Sequence, residues 1–419
     1  MNGNYCRWRT RALAGLLAGI SLAGPAVAQD APPFAQLLRD TIEAPRLEGL
    51  DAEVDRAKGL ERQAHAWPNP TVSVLTENIG GSTPYTRFDR AETTLQVNQP
   101  LEIGGKRSSR ILAERAGVVA ATARNREGRI AYAYDLALAY AGVEIAERRI
   151  ERAQDEVEQN EAIVRLTKAL VDTGKEARLR QLQSESELGA ARAALEGTRA
   201  GRISALARLS ALSGRDTTFS GTSESLLDRL DARSATGPVD PMLNAAYLSA
   251  KAEREAADRR VEAERRRINP DVTVQVGVRR LEYEGATSLL AGVSLPLPLF
   301  DRNRGNVDAA RAALRGAEAR SEAARLEAQA EAQAAMAQVD AADTRTVAAR
   351  DAMGTANEAY RLARIAYEAG KAPLVELLNA RRAVGMAATT LIDVSAARFQ
   401  ARATLSRLQG LTITGEPVQ

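Results

Sequence analysis

The sequence predicts an α+β membrane protein built by tandem duplication, in which one chain supplies four β-strands and two long helical hairpins. The duplication follows from repeated turn motifs, because Pro100 and Pro296 are 196 residues apart and the same spacing separates Gly174 from Gly370. Alternating apolar and polar residues before each proline predict the strands, and long stretches without proline after it predict the hairpins.

The composition supports long helices that do not cross a membrane. Across 419 residues, aromatic side chains make up 4% and the mean hydropathy is −0.29. Such a low hydropathy excludes a bundle of transmembrane helices. The abundance of Ala, Glu, Arg and Leu is typical of long helices or coiled coils.

Residues 1–28 have the three parts of a secretory signal peptide. Arginines at positions 7, 9 and 11 precede an apolar run over residues 12–24, and Ala26-Val27-Ala28 forms a small-residue cleavage site. We predict cleavage after Ala28, which reduces the 57 basic residues to 54 and so matches the 54 acidic residues. A neutral mature chain has no electrostatic footprint for nucleic acid. Cys6 leaves with the peptide, so we expect neither lipidation nor a disulfide.

The first predicted repeat covers residues 29–214. A helical pattern over Phe34–Ala66 stops at the prolines of Trp67-Pro68-Asn69-Pro70. Alternation predicts a β-hairpin over residues 71–101, and residues 106–213 predict a helical hairpin. In its outgoing helix, apolar residues recur every seven positions, which keeps one seam against a neighbouring helix. They are Leu136, Val143, Ile150, Val157, Val164 and Val171.

The second predicted repeat covers residues 241–410, after a linker at 215–240 that we predict to be non-helical. It again contains a helix, a β-hairpin and a helical hairpin, and residues 411–419 form a C-terminal tail. The β-hairpin is predicted at 271–297 and the helical hairpin at 302–409.

The strands have the length and alternation of membrane-spanning β-strands. Each covers about 8–10 residues, with one apolar face and one face of small or polar residues, as a water-filled lumen requires. Small soluble hairpins are the alternative, but isolated hairpins are marginally stable in water. Four strands cannot close a barrel, and lipid does not tolerate open edges. We therefore expect a symmetric oligomer with about twelve strands from three chains.

The sequence offers little for catalysis. Its single histidine, His65, lies at a predicted helix end. There is no Cys/His cluster for a metal, no Ser/His/Asp set beyond that histidine and no phosphate-binding glycine loop. We therefore predict no enzymatic activity, no cofactor and no bound metal.

The tips of the two helical hairpins are more informative, because both carry Gly-Lys at the turn. Glycine in such a turn serves the backbone. Apolar residues at an end that should face water indicate docking on the helices of another protein. The predicted docking residues are Gly174, Lys175, Gly370, Lys371, Pro373 and Leu374.

Taken together, the signal peptide, the duplicated hairpins and the motifs QPLEIGGKR, LPLPLFDRNRG and YEAGKAPLVELLNARR resemble the TolC family of outer-membrane efflux proteins. ENIGG and the Gly-Gly-Lys-Arg junction are similar to its CzcC-type heavy-metal branch. The resemblance covers essentially the whole mature chain. It implies a homotrimer with a twelve-stranded outer-membrane barrel on a long periplasmic α-barrel. It also implies docking on a periplasmic adaptor protein and an inner-membrane resistance–nodulation–division pump.

The resemblance also implies roles for four residues near the tips. Glu376 matches an acidic position that narrows the pore, whereas Asn379 departs from a second acid found there in some members. Tyr367 matches a tyrosine that helps to latch the closed tip, and Arg180 replaces its frequent acidic partner. The latch is therefore either lost or rebuilt as an Arg180–Glu376 pair.

The expected function is a passive outer-membrane exit duct, in contact with outer-membrane lipid, for a tripartite efflux system. We expect heavy-metal cations such as cobalt, zinc, cadmium or copper as its cargo. One alternative is a TolC-like duct for drug efflux or type I protein secretion. Another, from a different class, is a soluble periplasmic coiled-coil adaptor, against which the four alternating strands argue. An enzyme is the weakest alternative.

Overall fold

The computed structural model describes residues 29–41, 44–231 and 239–418. The predicted signal peptide, with Cys6, lies outside these residues. Within them the chain is mostly helical and contains a four-stranded antiparallel sheet. Each repeat passes from a shorter helix through a β-hairpin into a long helical hairpin, so the duplication is visible in the order of the elements.

In the first repeat, α3 and α4 form the helical hairpin. The elements are α1 (Phe34–Asp40), α2 (Pro45–Ala64), β1 (Thr71–Glu77), β2 (Glu92–Leu101), α3 (Lys106–Asp172) and α4 (Arg178–Leu212). At 67 residues, α3 is about 100 Å long. It begins at Lys106, where the helical hairpin was predicted to begin.

In the second repeat, α7 and α8 form the helical hairpin. The elements are α5 (Leu226–Asp231) between the repeats, then α6 (Ala245–Arg266), β3 (Val272–Leu281), β4 (Ala286–Ser294), α7 (Arg304–Glu368) and α8 (Leu374–Leu408). In the described ranges, every helix lacks the combination of length and apolar character that crossing a bilayer needs.

The continuous helix predicted over Phe34–Ala66 is wrong. The chain leaves α1 after Asp40 and begins α2 at Pro45. Proline inside a helix removes a hydrogen bond and clashes with the preceding turn, but at the first helical position its missing N–H has no intrahelical partner to lose. The apolar spacing continues on both sides of this break, and the prediction therefore missed it.

The non-helical linker predicted at 215–240 is also wrong, because α5 forms within it. The carboxylate of Glu144, on α3, accepts hydrogen bonds from the backbone N–H groups of Leu226 and Leu227 at 3.1 and 3.3 Å. Glu144 is 7% exposed and also pairs with Arg148 at 2.7 Å. The first N–H groups of a short helix have no acceptor within the helix. The carboxylate of Glu144 is the acceptor for two of them here.

The largest buried cluster joins the two repeats around the middle of α3. Leu136 and Val143, two residues of the predicted heptad seam, have no exposed surface. The rings of Phe34 and Tyr140 meet edge to face with 6.1 Å between centroids. Phe399 of α8 belongs to the same cluster. The seam of α3 is thus fully buried here and only half-buried towards the tip.

The sheet is an antiparallel meander in the order β1-β2-β3-β4, so the two hairpins join through β2 and β3. Val97, for example, lies opposite Val276. The last strand was predicted to reach Leu297 but ends at Ser294. Pro296 has no N–H to donate to a ladder. Within the described chain, β1 and β4 are the two edges of the sheet.

The spacing between the repeats changes by two residues at the junction of strand and long helix. Gly105 and Asn303 both have a left-handed backbone, with φ of 78° and 56°, and each directly precedes a long helix. They are 198 residues apart, whereas the tip glycines Gly174 and Gly370 keep the spacing of 196. The second copy therefore has a longer junction and a shorter outgoing helix, of 65 against 67 residues.

Removing the carboxylate of Glu144 should release α5 from α3. We expect Glu144→Ala to speed tryptic cleavage at Arg229 by about tenfold, because unpaired buried donors cost on the order of 1–3 kcal/mol. Glu151→Ala, an exposed glutamate on the same helix, is the matched control. Mass spectrometry of the fragments gives the cleavage rates, and equal rates in the two variants would contradict this role of Glu144.

Candidate functional site

The sheet has one continuous apolar face. Because the strands pair in register, side chains on this face form rows across the sheet. The face comprises Val72, Val74, Leu95, Val97, Val276, Val278, Leu289, Ala291 and Val293. Leu289 is 85% exposed and Val293 71% exposed in the single chain. A contiguous apolar surface left open in this way marks a face that another apolar phase or molecule covers.

The opposite face of the sheet is mainly polar, although Leu75 and Leu290 also lie on it. Asn98 Nδ2 donates to Ser73 Oγ at 3.3 Å. Arg279 Nε donates to Thr94 Oγ1 at 3.0 Å, and its Nη1 pairs with Glu92 at 3.0 Å. The two faces therefore differ as those of a wall between lipid and water do.

The two hairpin tips share one backbone geometry. At the first tip, Gly174 N–H donates to the Val171 carbonyl at 2.9 Å and Lys175 N–H donates to the Leu170 carbonyl at 2.9 Å. The second tip repeats both bonds, and Gly370 has the same φ as Gly174, 71°. This pair of bonds satisfies the last carbonyls of a helix and requires a left-handed residue. The shared glycines are therefore required by the turn itself.

The four residues assigned to the pore and the latch lie near the tips. Glu376 lies in the first turn of α8 and Asn379 one turn later, and both are exposed. Tyr367 is half-buried at the end of α7. Arg180 lies 3.5 Å from Gln183 Oε1, and no hydrogen bond or ion pair joins it to Glu376 in the described part of the chain. The Arg180–Glu376 pair stays a prediction for contacts between chains.

The residues predicted for docking are exposed with one exception. Gly174, Lys175, Gly370, Lys371 and Pro373 are exposed. Leu374 is 8% exposed and is therefore packed inside the second tip. The sequence prediction missed Leu179 and Leu182 on α4, which are 66% and 53% exposed. Their signal was a pair of leucines one helical turn apart, directly after the first tip.

Two arginines of α8 join the two helical hairpins. Arg381 Nε donates to Gln159 Oε1 of α3 at 2.8 Å, and Arg381 Nη1 donates to the hydroxyl of Tyr360 on α7 at 2.7 Å. Arg382 pairs with Glu187 of α4. Both arginines end the motif YEAGKAPLVELLNARR, in which we predict roles only for residues between Tyr367 and Asn379.

A cleft of about 920 Å³ lies between α3, α4 and α8, and both hairpins line it. Arg152, Glu187 and Arg382 are among its lining residues. A Cβ at Gly385 would overlap the guanidinium of Arg152. The end of the Arg152 side chain therefore fills the space beside Gly385, and it would have to move aside for a larger residue there.

Farther from the tips, an ion-pair cluster holds α7 to α8. Arg398 Nε lies 2.5 Å and Arg402 Nη2 lies 3.1 Å from the carboxylate of Asp343. Burial disfavours the ionised carboxylate, but the hydrogen bonds from the two arginines outweigh it. The pKa of Asp343 therefore lies below its ordinary value. Asp343 is ionised at neutral pH and bridges the two helices.

In the part of the chain that the structure describes, no group of three or more His, Cys, Asp or Glu side chains could hold a metal ion. What the residues do form is a two-faced sheet at one end of the long hairpins and paired tips at the other.

Both repeats match the outer membrane efflux protein family, over residues 41–215 and 243–411. The chain is 39% identical over 403 residues to the nickel-cobalt-cadmium resistance protein NccC of Alcaligenes xylosoxydans xylosoxydans, covering 96% of this chain and 92% of NccC. It is 31% identical over 374 residues to the cobalt-zinc-cadmium resistance protein CzcC of Cupriavidus metallidurans, covering 85% of each chain. The resemblance inferred from the motifs is thereby confirmed.

Crystal structures of the transmembrane channel CusC have the same fold, with a TM-score of 0.77 at 18% identity, covering 92% of this chain and 96% of CusC. The outer membrane protein VceC from Vibrio cholerae gives a TM-score of 0.74 at 20% identity, covering 91% of this chain and 96% of VceC. At these identities the likeness concerns the fold alone. The predicted fold class is confirmed.

Replacing Arg381 should loosen the attachment of α8 to α3. Arg381→Ala removes the hydrogen bonds to Gln159 and Tyr360, so we expect a longer and broader distance between spin labels placed at positions 175 and 371. Arg361→Ala is the matched control, because Arg361 is an exposed arginine that bonds Glu358 of its own helix. Electron paramagnetic resonance measures the distances, and identical distributions in the two variants would argue against the tether.

Proposed function

The chain belongs to the outer membrane efflux protein family, and from this membership we propose that it is the passive exit duct of a tripartite efflux system. It lies in the outer membrane and extends into the periplasm, after export and removal of residues 1–28. It catalyses no reaction. Cargo enters at the helical tips and leaves through the sheet end.

The two-faced sheet is the observation that carries this proposal. Its apolar face, with Leu289 85% exposed and Val293 71% exposed, suits contact with lipid. Its polar face suits a water-filled passage. A soluble periplasmic adaptor would have no use for such a sheet, so the duct is favoured over that alternative.

A homotrimer completes the duct. One chain supplies four strands and leaves two edges unpaired, and backbone groups left unpaired in lipid cost several kcal/mol each. Three copies in a ring supply about twelve strands and remove every edge. The long hairpins then surround the same axis in the periplasm.

The periplasmic partners are an adaptor protein and an inner-membrane resistance–nodulation–division pump. Exposed apolar residues at the first tip, Leu179 and Leu182, offer a docking surface for adaptor helices. The pump selects the cargo, because the duct has no resident ligand cluster in its described residues.

Heavy-metal cations are the proposed cargo. The relatives named above are resistance proteins for nickel, cobalt and cadmium, and for cobalt, zinc and cadmium. These four ions are therefore the first candidates, with copper as a further one. The second candidate function is a duct for drug efflux or type I protein secretion, which the same fold would serve.

Deleting the gene should sensitise cells to nickel, cobalt, zinc or cadmium without changing metal uptake. Growth inhibition and retained cellular metal measure the effect, and a plasmid copy of the intact gene should restore tolerance. Sensitivity to drugs with normal tolerance of every one of these ions would contradict the metal assignment and favour the second candidate.

Glu376 should confer cation selectivity on the duct. Threefold symmetry would bring three copies of this exposed carboxylate around one axis, and carboxylate rings favour cations in a narrow pore. We expect Glu376→Lys to reduce cation selectivity of single channels in a planar bilayer by several-fold, and Glu376→Gln to do so more weakly. Glu358→Lys, on the exposed surface of α7, is the control. Unchanged ion selectivity in Glu376→Lys would falsify the ring.

A further inference from the structure

The end of the sheet that joins the helices is basic. All four junctions between helix and strand lie at this end, because the strands form an antiparallel meander in which Leu101 lies opposite Val272 and Thr273 opposite Ser294. Taken with the adjoining turn of helix, the junctions are residues 61–70, 102–109, 263–271 and 295–307. They contain eight basic and five acidic residues and so carry a net charge of +3, with His65 neutral.

The other end of the sheet has no such surplus. Two loops, 78–91 and 282–285, join the strands there, and they contain two basic and three acidic residues. The predicted mature chain is neutral as a whole, so its positive charge is concentrated at one end of the apolar face. This combination has the chemistry to bind an anion that carries apolar chains.

The end of α6 and the start of α7 bring five arginines together. Asn303 Nδ2 donates to the Glu264 carbonyl at 2.8 Å and to its carboxylate at 3.1 Å, so the two helix ends are adjacent. Three arginines follow Glu264, and Asn303 lies between two more. We call these five exposed residues the arginine patch: Arg265, Arg266, Arg267, Arg302 and Arg304.

The three arginines that end α6 share two carboxylates of their own helix. Glu262 lies 2.7 Å from Arg266 and 3.8 Å from Arg265. Glu264 lies 3.1 Å from Arg267. Ion pairs exposed to water contribute little to stability. An anion from outside the chain can therefore bind here without breaking a buried contact.

The two arginines that flank Asn303 have no partner of this kind. Within the described chain, neither Arg302 nor Arg304 makes a side-chain hydrogen bond or an ion pair. Arg304 lies in the first turn of α7, which contains no acidic residue. The positive end of the helix dipole disfavours a cation there. An external anion beside this turn would offset that repulsion.

The first repeat compensates its cation at the corresponding place. Lys106 is the first residue of α3, as Arg304 is of α7. Lys106 Nζ lies 2.5 Å from the carboxylate of Asp271, so its charge is balanced within the chain. The second repeat keeps the cation and, in the described residues, lacks the carboxylate. The uncompensated charge is therefore specific to the arginine patch.

Large apolar side chains border the arginine patch on both sides. Ile268 follows it at the end of α6 and is exposed. Leu299 and Phe300 precede it at the start of α7, and Phe300 is 98% exposed. Arginines beside exposed Phe, Leu and Ile are typical of a surface in the headgroup region of a membrane, where charges meet phosphates and apolar groups meet acyl chains.

We propose that the arginine patch binds the headgroups of anionic phospholipids, of the phosphatidylglycerol class, in the periplasmic leaflet of the outer membrane. The arginines bind the lipid phosphate, and the acyl chains lie along the apolar face of the sheet. This inference rests on the proposed duct, whose hairpins extend into the periplasm. It adds the class of lipid that the duct prefers and the residues that select it.

Native mass spectrometry of the detergent-purified protein tests the preference. Phosphatidylglycerol and phosphatidylcholine with identical acyl chains are added in equal amounts, so that a difference in binding reports the headgroup alone. We expect about fivefold more bound phosphatidylglycerol than phosphatidylcholine. This ratio should fall as ammonium acetate is raised from about 0.05 to 0.5 M, because salt screens exposed charges.

Two variants test the residues independently. Arg265→Gln/Arg266→Gln/Arg267→Gln removes the charges of α6 and keeps polar side chains, and we expect the ratio to fall below about twofold. Arg302→Gln/Arg304→Gln removes the charges beside α7 and should also lower the ratio. Because the two variants change different segments, misfolding of one does not decide the question.

The matched control is Arg199→Gln/Arg361→Gln/Arg364→Gln. These arginines are exposed on α4 and α7, and each pairs with a glutamate of its own helix, as the arginines of α6 do. They belong to none of the junctions between helix and strand. The control removes the same number of charges and should keep the fivefold ratio.

Each outcome has one meaning. Equal binding of the two lipids by the parent chain overturns the headgroup preference and leaves the lipid-facing sheet intact. A preference that survives in both patch variants, or that the control loses as strongly, overturns the assignment to the arginine patch. Binding of neither lipid overturns the lipid-facing sheet and with it the proposed duct.

Discussion

The unpaired backbone at the two edges of the sheet is the constraint on which the rest of the structure depends. A lipid-facing sheet must satisfy every N–H and carbonyl, since each unsatisfied group costs several kcal/mol in hydrocarbon. One chain leaves the outer edges of β1 and β4 open. It also leaves an apolar face exposed, as at Val72 and Leu289. A ring of several copies would pair the open edges, and lipid would cover the apolar face, so the proposed duct needs both an assembly and a membrane.

The long helices continue directly from the strands and join the two repeats outside the sheet. β2 passes into α3 and β4 into α7 through left-handed residues, so each strand fixes the start of an outgoing helix. The buried cluster around Leu136, Val143 and Phe399 joins the two repeats. Arg381 and Arg382 join them again towards the tips. Movement of one tip relative to the other must therefore alter polar contacts that are local to α8.

The sequence predicted elements that repeat or alternate. The heptad spacing predicted the seam of α3, and alternation with terminal prolines located all four strands. Local patterns failed where a distant residue decides the outcome. The short helix α5, for example, depends on Glu144 of α3. At the tips, the repeated Gly-Lys motif predicted the turn glycines, and the family resemblance indicated Glu376. It could not predict that Leu374 is buried, or that Arg381 bonds Gln159, because those contacts join segments far apart in sequence.

The native mass of the protein extracted from the outer-membrane fraction bears most directly on the claim that the duct is completed by assembly. Mild detergent should keep the seams between sheets intact, since the paired backbone groups have no water to exchange with. We expect a mass of three mature chains, each lacking residues 1–28, with no stoichiometric metal. A stable monomer in that fraction, with its sheet edges satisfied in some other way, would contradict the proposed assembly.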